Sequence, residues 1–118
     1  DVKAMYNLAL LYLGGELGYK DPGKAEEWLE TASDAGFAFA QTMLGTMALE
    51  RNDPRKAESM FRKAAEQNEP TAMYNLGALA LSGRIEMDDR EAMDLLVGAA
   101  GAGMPEAQEL VRRITSSR

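Results

Sequence analysis

The chain has 118 residues, enough for one domain, and carries a formal net charge of −6. That balance repels phosphate backbones and anionic membrane surfaces, and the one basic cluster, Arg112, Arg113 and Arg118, lacks interleaved aromatics, so nucleic acid is not an expected partner. With no cysteine and no histidine, the chain has no disulfide, no thiolate nucleophile, none of the usual zinc ligands and not the commonest general base.

The apolar residues Met5, Leu8, Leu11 and Tyr12 recur at helical spacing and predict an amphipathic helix from Val2 to Gly14, ending at Gly14-Gly15. A loop through Gly18 and Tyr19 leads to Asp21-Pro22, an N-cap followed by proline at the first helical position. The second helix carries Ala25, Trp28, Leu29 and Ala32 on one face and stops near Gly36, which can take a left-handed cap. The third runs from Ala38 to Glu50. Asp53-Pro54 then starts a fourth with Ala57, Met60, Phe61, Ala64 and Ala65, on which Glu58, Arg62 and Glu66 at four-residue spacing predict exposed ion pairs. The fifth begins at Pro70 and runs to Ser82-Gly83. The sixth starts at Asp88, with Glu91 three residues on predicting a capping box, and ends around Gly101 to Gly103. Met104-Pro105 opens a last helix whose Ala107, Leu110, Val111 and Ile114 share one face. Leucine, alanine, methionine and glutamate predominate and β-branched residues are scarce, so almost no strand is expected.

These helices repeat. Ala4-Met5-Tyr6-Asn7-Leu8 returns as Ala72-Met73-Tyr74-Asn75-Leu76, with a weaker copy at Ala40 to Leu44, so the alanines at 4, 40 and 72 are spaced by 36 and then 32 residues. Periods of that size mark stacked supersecondary units. In the second helices Ala25, Ala57 and Ala92 are followed by Leu29, Phe61 and Leu96, then by Ala32, Ala64 and Ala99; in the first helices Ala9, Gly45 and Gly77 align. Small residues at one site per helix let a pair approach closely, and the larger ones fill the space to the next pair. Arg112 falls where Ala9, Gly45 and Gly77 sit and cannot admit a further close helix, so the last helix is expected to be a terminal cap. The front shows no such cap, so the chain is expected to be a fragment of a longer protein.

Leu-Gly-x-x-Tyr-like first helices and Ala-x-x-x-Phe-like second helices resemble the tetratricopeptide signature. The Asp-x-x-Lys-Ala entry of Asp21 to Ala25 and Asp53 to Ala57, with the Ala-Ala-x-x-Gly exit at Ala99 to Gly103, is more similar to its relative, the Sel-one-like repeat. The spacing from Ala9 to Ala25 is 16 positions and from Gly77 to Ala92 is 15, whereas Gly45 to Ala57 is 12, the shorter tetratricopeptide form. The resemblance implies an all-α, right-handed α-solenoid of three antiparallel helix pairs plus a C-terminal capping helix. Its units are expected at about 2–37, 38–69 and 70–103, with the cap at about 104–115. It further implies a bacterial, non-catalytic scaffold for a protein or peptide, with no cofactor or metal. No apolar run nears the roughly 20 residues that span a bilayer. A soluble cytoplasmic or periplasmic setting is therefore expected.

By the same resemblance the first helices line a concave face. Its candidate partner-binding residues are Tyr6, Asn7 and Leu10, then Thr42, Thr46 and Leu49, then Tyr74, Asn75 and Ala78, with Leu13 and Leu81 near the helix ends. Tyrosine offers contact area with a polar tip, and asparagine can bond a peptide backbone as donor and acceptor. Against this stands their use between neighbouring helices, and Leu10, Leu13, Leu49 and Leu81 are expected to pack between repeats. Most methionines and Trp28 are expected in the core or as anchors. For catalysis only carboxylates such as Glu16, Asp88, Asp89 and Asp94 offer themselves, and the aspartates fit caps and turns better. Gly14 to Gly18 lacks the Lys-Ser/Thr of a phosphate loop, and Asp88-Asp89 lacks the other ligands of a calcium loop. Two alternatives are a self-assembly module that dimerises or docks through Val2, Met5 and Leu8, and an envelope module associated with glycans. The latter lacks a visible aromatic platform beyond the two tyrosines.

Overall fold

Aspartate and proline punctuation sets the helix starts. The structure is a computed structural model that describes residues 1–15 and 20–117. These form seven α-helices and no strand: α1 (Val2–Gly14), α2 (Pro22–Asp34), α3 (Ala38–Glu50), α4 (Pro54–Ala65), α5 (Pro70–Leu81), α6 (Asp89–Gly101) and α7 (Pro105–Ser116). The carboxylates of Asp1, Asp21, Asp53 and Asp88 accept from the backbone N–H of Lys3, Lys24, Lys56 and Arg90 at 3.0, 3.0, 3.2 and 2.9 Å, satisfying donors that have no intrahelical partner. Proline opens α2, α4, α5 and α7, where its missing N–H costs nothing. The expected loop through Gly18 and Tyr19, the candidate Glu16 and the phosphate-loop stretch through Leu17 lie outside the described residues, as does Arg118.

Five junctions end in the same way. Gly36, Asn52, Asn68, Gly83 and Gly103 all have positive φ, between 59° and 95°. At each, two N–H groups return to carbonyls of the last turn: Asn52 N–H reaches Leu49 O at 2.9 Å and Asp53 N–H reaches Ala48 O at 2.8 Å. In four of the five the next residue, Phe37, Asp53, Glu69 or Met104, is already the N-cap of the following helix. These connections are thus reduced to a few residues.

Packing is most extensive within α1/α2, α3/α4 and α5/α6, and then between neighbours along the chain, α7 lying on α6. The result is elongated, 51 × 26 × 25 Å. One buried cluster gathers Ala9, Ala25, Leu29, Ala32, Ala40 and Leu44, and a second Ala57, Phe61, Ala64, Ala72, Leu76 and Leu79. The small residues are required: a Cβ on Gly45 would stand 2.5 Å from Phe61 Cε1, and one on Gly77 would stand 2.9 Å from Leu96 Cγ. Met47 and Met60 are buried, and the other six methionines are half-buried. Trp28 packs half-buried against the first cluster, its indole N–H without a hydrogen-bond partner among the described residues.

Two sequence expectations fail on the outer side of the second helices. Glu91 forms no capping box with Asp88; it reaches back to α4, where Arg62 Nη1 lies 2.9 Å from its carboxylate. Arg62 pairs as expected with Glu58 at 3.0 Å, while its second partner is Glu91 and not Glu66, because the neighbouring repeat offers a carboxylate that the helix's next turn does not need to supply. Glu26 likewise joins Arg51 at 2.7 Å and Lys56 at 3.7 Å, and Lys56 joins Glu30 at 3.2 Å. The hydrogen bond from Arg51 holds the Glu26 carboxyl below the usual range, and the bonds that Arg62 donates to Glu91 and Glu58 raise its own pKa. The partly exposed pairs of Lys56 and Arg62 contribute on the order of 0–1 kcal/mol each, so these contacts tie α2, α4 and α6 together without dominating stability.

Candidate functional site

The start of α5 supplies the one buried carboxylate among the described residues. Glu69 is 6% exposed; its Oε2 accepts from Thr71 N–H at 3.0 Å and its Oε1 from Ala72 N–H at 3.2 Å. The Thr42 hydroxyl of α3 donates to the same Oε1. A carboxylate at a helix N-terminus is favoured by the helix dipole, so one side chain both closes α5 and ties it to the preceding repeat.

Above this contact the aromatic residues of α1 and of the α2–α3 junction meet. The Tyr6 ring lies edge-on to Phe37 at 5.3 Å and tilted to Phe39 at 6.2 Å, and Phe37 lies edge-on to Phe39 at 5.6 Å. Phe39 is nonetheless 55% exposed. Burial pushes the Tyr6 phenol above its ordinary pKa, and the nearby Glu69 charge adds to the rise, so the group stays a neutral hydrogen-bonding tip. Tyr6, Phe39, Thr42, Met43, Thr46, Glu69 and Thr71 enclose an open groove of about 270 Å³.

Of the nine candidate residues, the groove therefore brings together Tyr6, Thr42 and Thr46. Thr42 is buried with its hydroxyl engaged by Glu69, and Thr46 Oγ1 donates to Thr42 O at 3.2 Å. Asn7 and Leu10 are exposed on α1 outside this lining; Leu49, Tyr74, Asn75 and Ala78 are half-buried and also outside it. Leu13 and Leu49 pack against the two buried clusters, whereas Leu10 and Leu81, expected to pack between repeats, are 37% and 46% exposed. Their neighbours along the stack leave those positions uncovered. Phe37, Phe39, Met43 and Glu69 escaped the sequence reading. The available signal was Phe37-x-Phe39 at the entry to the third helix, in a chain with three phenylalanines in all.

Asp88 caps α6 and Asp89 stands in its first turn, while Asp94 is exposed; among the described residues no group of three or more Asp or Glu could hold a metal ion. No helix among them is long and apolar enough to cross a membrane.

Comparison with known proteins agrees with this architecture. Residues 2–37, 38–69 and 70–103 each match the Sel1 repeat model, the middle unit with its short spacing included. The crystal structure of c5321, a protective antigen present in uropathogenic Escherichia coli strains and displaying an SLR fold, is 32% identical with a TM-score of 0.87, over 97% of this chain and 26% of that one. A Sel1 repeat protein from Oxalobacter formigenes is 32% identical with a TM-score of 0.84, over 94% of this chain and 47% of that one. The chain thus spans about a quarter and just under half of these two bacterial proteins. No curated protein matches it. With three consecutive repeat matches and an all-helical solenoid shared with such structures, the chain belongs to the Sel1 repeat family.

Proposed function

We propose that the chain is a non-catalytic scaffold that holds a peptide or partner protein on the concave face formed by α1, α3 and α5. Sel1 repeats are generally protein-interaction scaffolds. The observation that carries the reading is the groove itself, where residues from consecutive repeats converge around a phenylalanine left 55% exposed. An aromatic so placed is the kind of residue on which binding energy concentrates. Catalysis finds no support in the aspartates, which serve as caps or sit in solvent.

The test is capture of partners from a lysate of the source cells by the immobilised protein, beside a Phe39→Ala variant shown by circular dichroism to be equally folded. A partner held by the parent and reduced about tenfold or more by the variant is expected, a loss in the range of an aromatic hot spot. Equal capture by both would remove the groove from the reading.

A second reading rests on α1. In that helix only Ala9 is buried while Val2, Met5, Leu8 and Leu11 are half-buried, yet at matching positions of α3 Leu44 and Met47 are buried. This face fits a further repeat or a second copy of the chain. Sedimentation velocity across a wide concentration range separates the two proposals, and a strictly monomeric protein would remove assembly through this end.

A further inference from the structure

Glu69 is a carboxylate held at 6% exposure with no cation beside it: its partners are the Thr71 and Ala72 amides and the Thr42 hydroxyl, and it joins no ion pair among the described residues. Buried carboxylates are ordinarily paired. The α5 dipole offsets roughly half a charge, so the groove that Glu69 lines retains a net negative field. No lysine or arginine is among the groove's lining residues, and the whole chain carries −6. An acidic ligand meets the wrong sign, and the Thr71 and Ala72 amides that would receive it are already occupied by Glu69.

The rest of the lining suits the opposite charge. Phe39 is open to solvent beside Tyr6, and an ammonium or guanidinium within about 6 Å of such a ring is attracted by its quadrupole. Met43 offers apolar contact for the methylene stem of a long basic side chain. We propose that this groove docks a basic peptide, with one arginine or lysine side chain lying against Phe39 and Tyr6 and its charge directed to Glu69. The proposal rests on the groove being the ligand surface and adds the chemistry of the ligand.

Random dodecapeptides displayed on phage are selected on the immobilised protein at low salt, and the winners are measured singly by fluorescence anisotropy. The selected set is expected to be rich in arginine and lysine and to lose binding with Phe39→Ala. Glu69→Gln, and Thr71→Lys, which places a cation on the exposed rim, are each expected to weaken binding by about threefold to tenfold, the range of a partly exposed charge-assisted contact. Replacing the key basic residue of the peptide by norleucine should cost at least as much, and should cost less in the Glu69→Gln background, where only the attraction to the rings is left to lose. Because Glu69→Gln also touches the α5 cap, Thr71→Lys reads the charge with the cap intact. Peptides that need Phe39 but carry no basic residue and ignore Glu69→Gln and Thr71→Lys would overturn the charge inference and leave the groove standing. Peptides indifferent to Phe39→Ala, or no peptides at all, would overturn both. A concentration-dependent dimer abolished by Phe39→Ala would give the groove to a second copy and overturn the inference.

Discussion

Single small residues decide how near the helices come. Gly45 and Gly77 lie within helices, where glycine is about 1 kcal/mol worse than alanine, yet a Cβ at Gly45 would press into the Phe61 ring and one at Gly77 would sit 3.1 Å from Ala92 O. Phe61 is fully buried and has nowhere to retreat. Overpacking of about 1–3 kcal/mol is therefore expected to outweigh the propensity gain when Gly45→Ala is made. Gly101, near the end of α6, has open space where a methyl group would stand, with no atom within 4 Å, so Gly101→Ala is expected to stabilise by about 0.4–1 kcal/mol. Urea unfolding of the two variants gives the comparison; Gly45→Ala more stable than the parent would refute the close-approach account. Phe39 shows the opposite case at the same scale, a large side chain that packing does not bury.

At five junctions between helices one residue adopts a left-handed conformation, and in four of them the next residue caps the following helix. Three of these positions are glycine, but Asn52 and Asn68 take φ of 59° and 60°. Asparagine tolerates this region better than other side chains, and alanine there costs about 1–2 kcal/mol. Asn52→Ala is thus expected to lower stability by about 1 kcal/mol, while Asn52→Gly, which keeps the conformation available, should hold it near the parent. Thermal melting of both variants checks this, and equal melting of Asn52→Ala and Asn52→Gly would count against it. Two glutamines support the same kind of turn from the next helix: Gln41 Nε2 donates to Ser33 O at 3.3 Å and Gln108 Nε2 to Ala100 O at 3.1 Å, carbonyls that Gly36 and Gly103 N–H groups also use.

Across the molecule, burial follows position in the stack more than helix composition. Seven residues of α3 are buried, against Ala9 alone in α1 and Ala107 alone in α7. Each repeat closes its apolar face on its neighbour, so stability is approximately a sum of unit and interface terms. The outer side of α7 carries Arg112, paired with Glu109 of the same helix, in keeping with a polar end. Deleting residues 104–118 uncovers α6 and is expected to lower the unfolding midpoint and to cost α5 and α6 amide protection before α3 and α4. Hydrogen exchange by mass spectrometry reads this directly; uniform loss of protection along the chain would show that the molecule unfolds as one cooperative body.

The helices, their starts and the register of the repeats were legible in the chain because they follow from local signals: aspartate before proline, glycine after a periodic run, and alanine or glycine at a recurring site. Which polar and aromatic residues share a surface is instead a matter of packing between repeats. Tyr6 of the first repeat, Phe39 and Thr42 of the second and Glu69 at the entry to α5 are far apart in the chain, and their meeting depends on how one repeat is set against the next. The same relation sends Glu91 to Arg62 where the local pattern pointed to a capping box, since a full guanidinium on the neighbouring helix attracts a carboxylate more strongly than a backbone amide of its own first turn. Phe39 and Glu69 sit at helix entries, where helical periodicity does not decide burial, so only the stacked fold shows that one stays open to solvent while the other is buried without a cation.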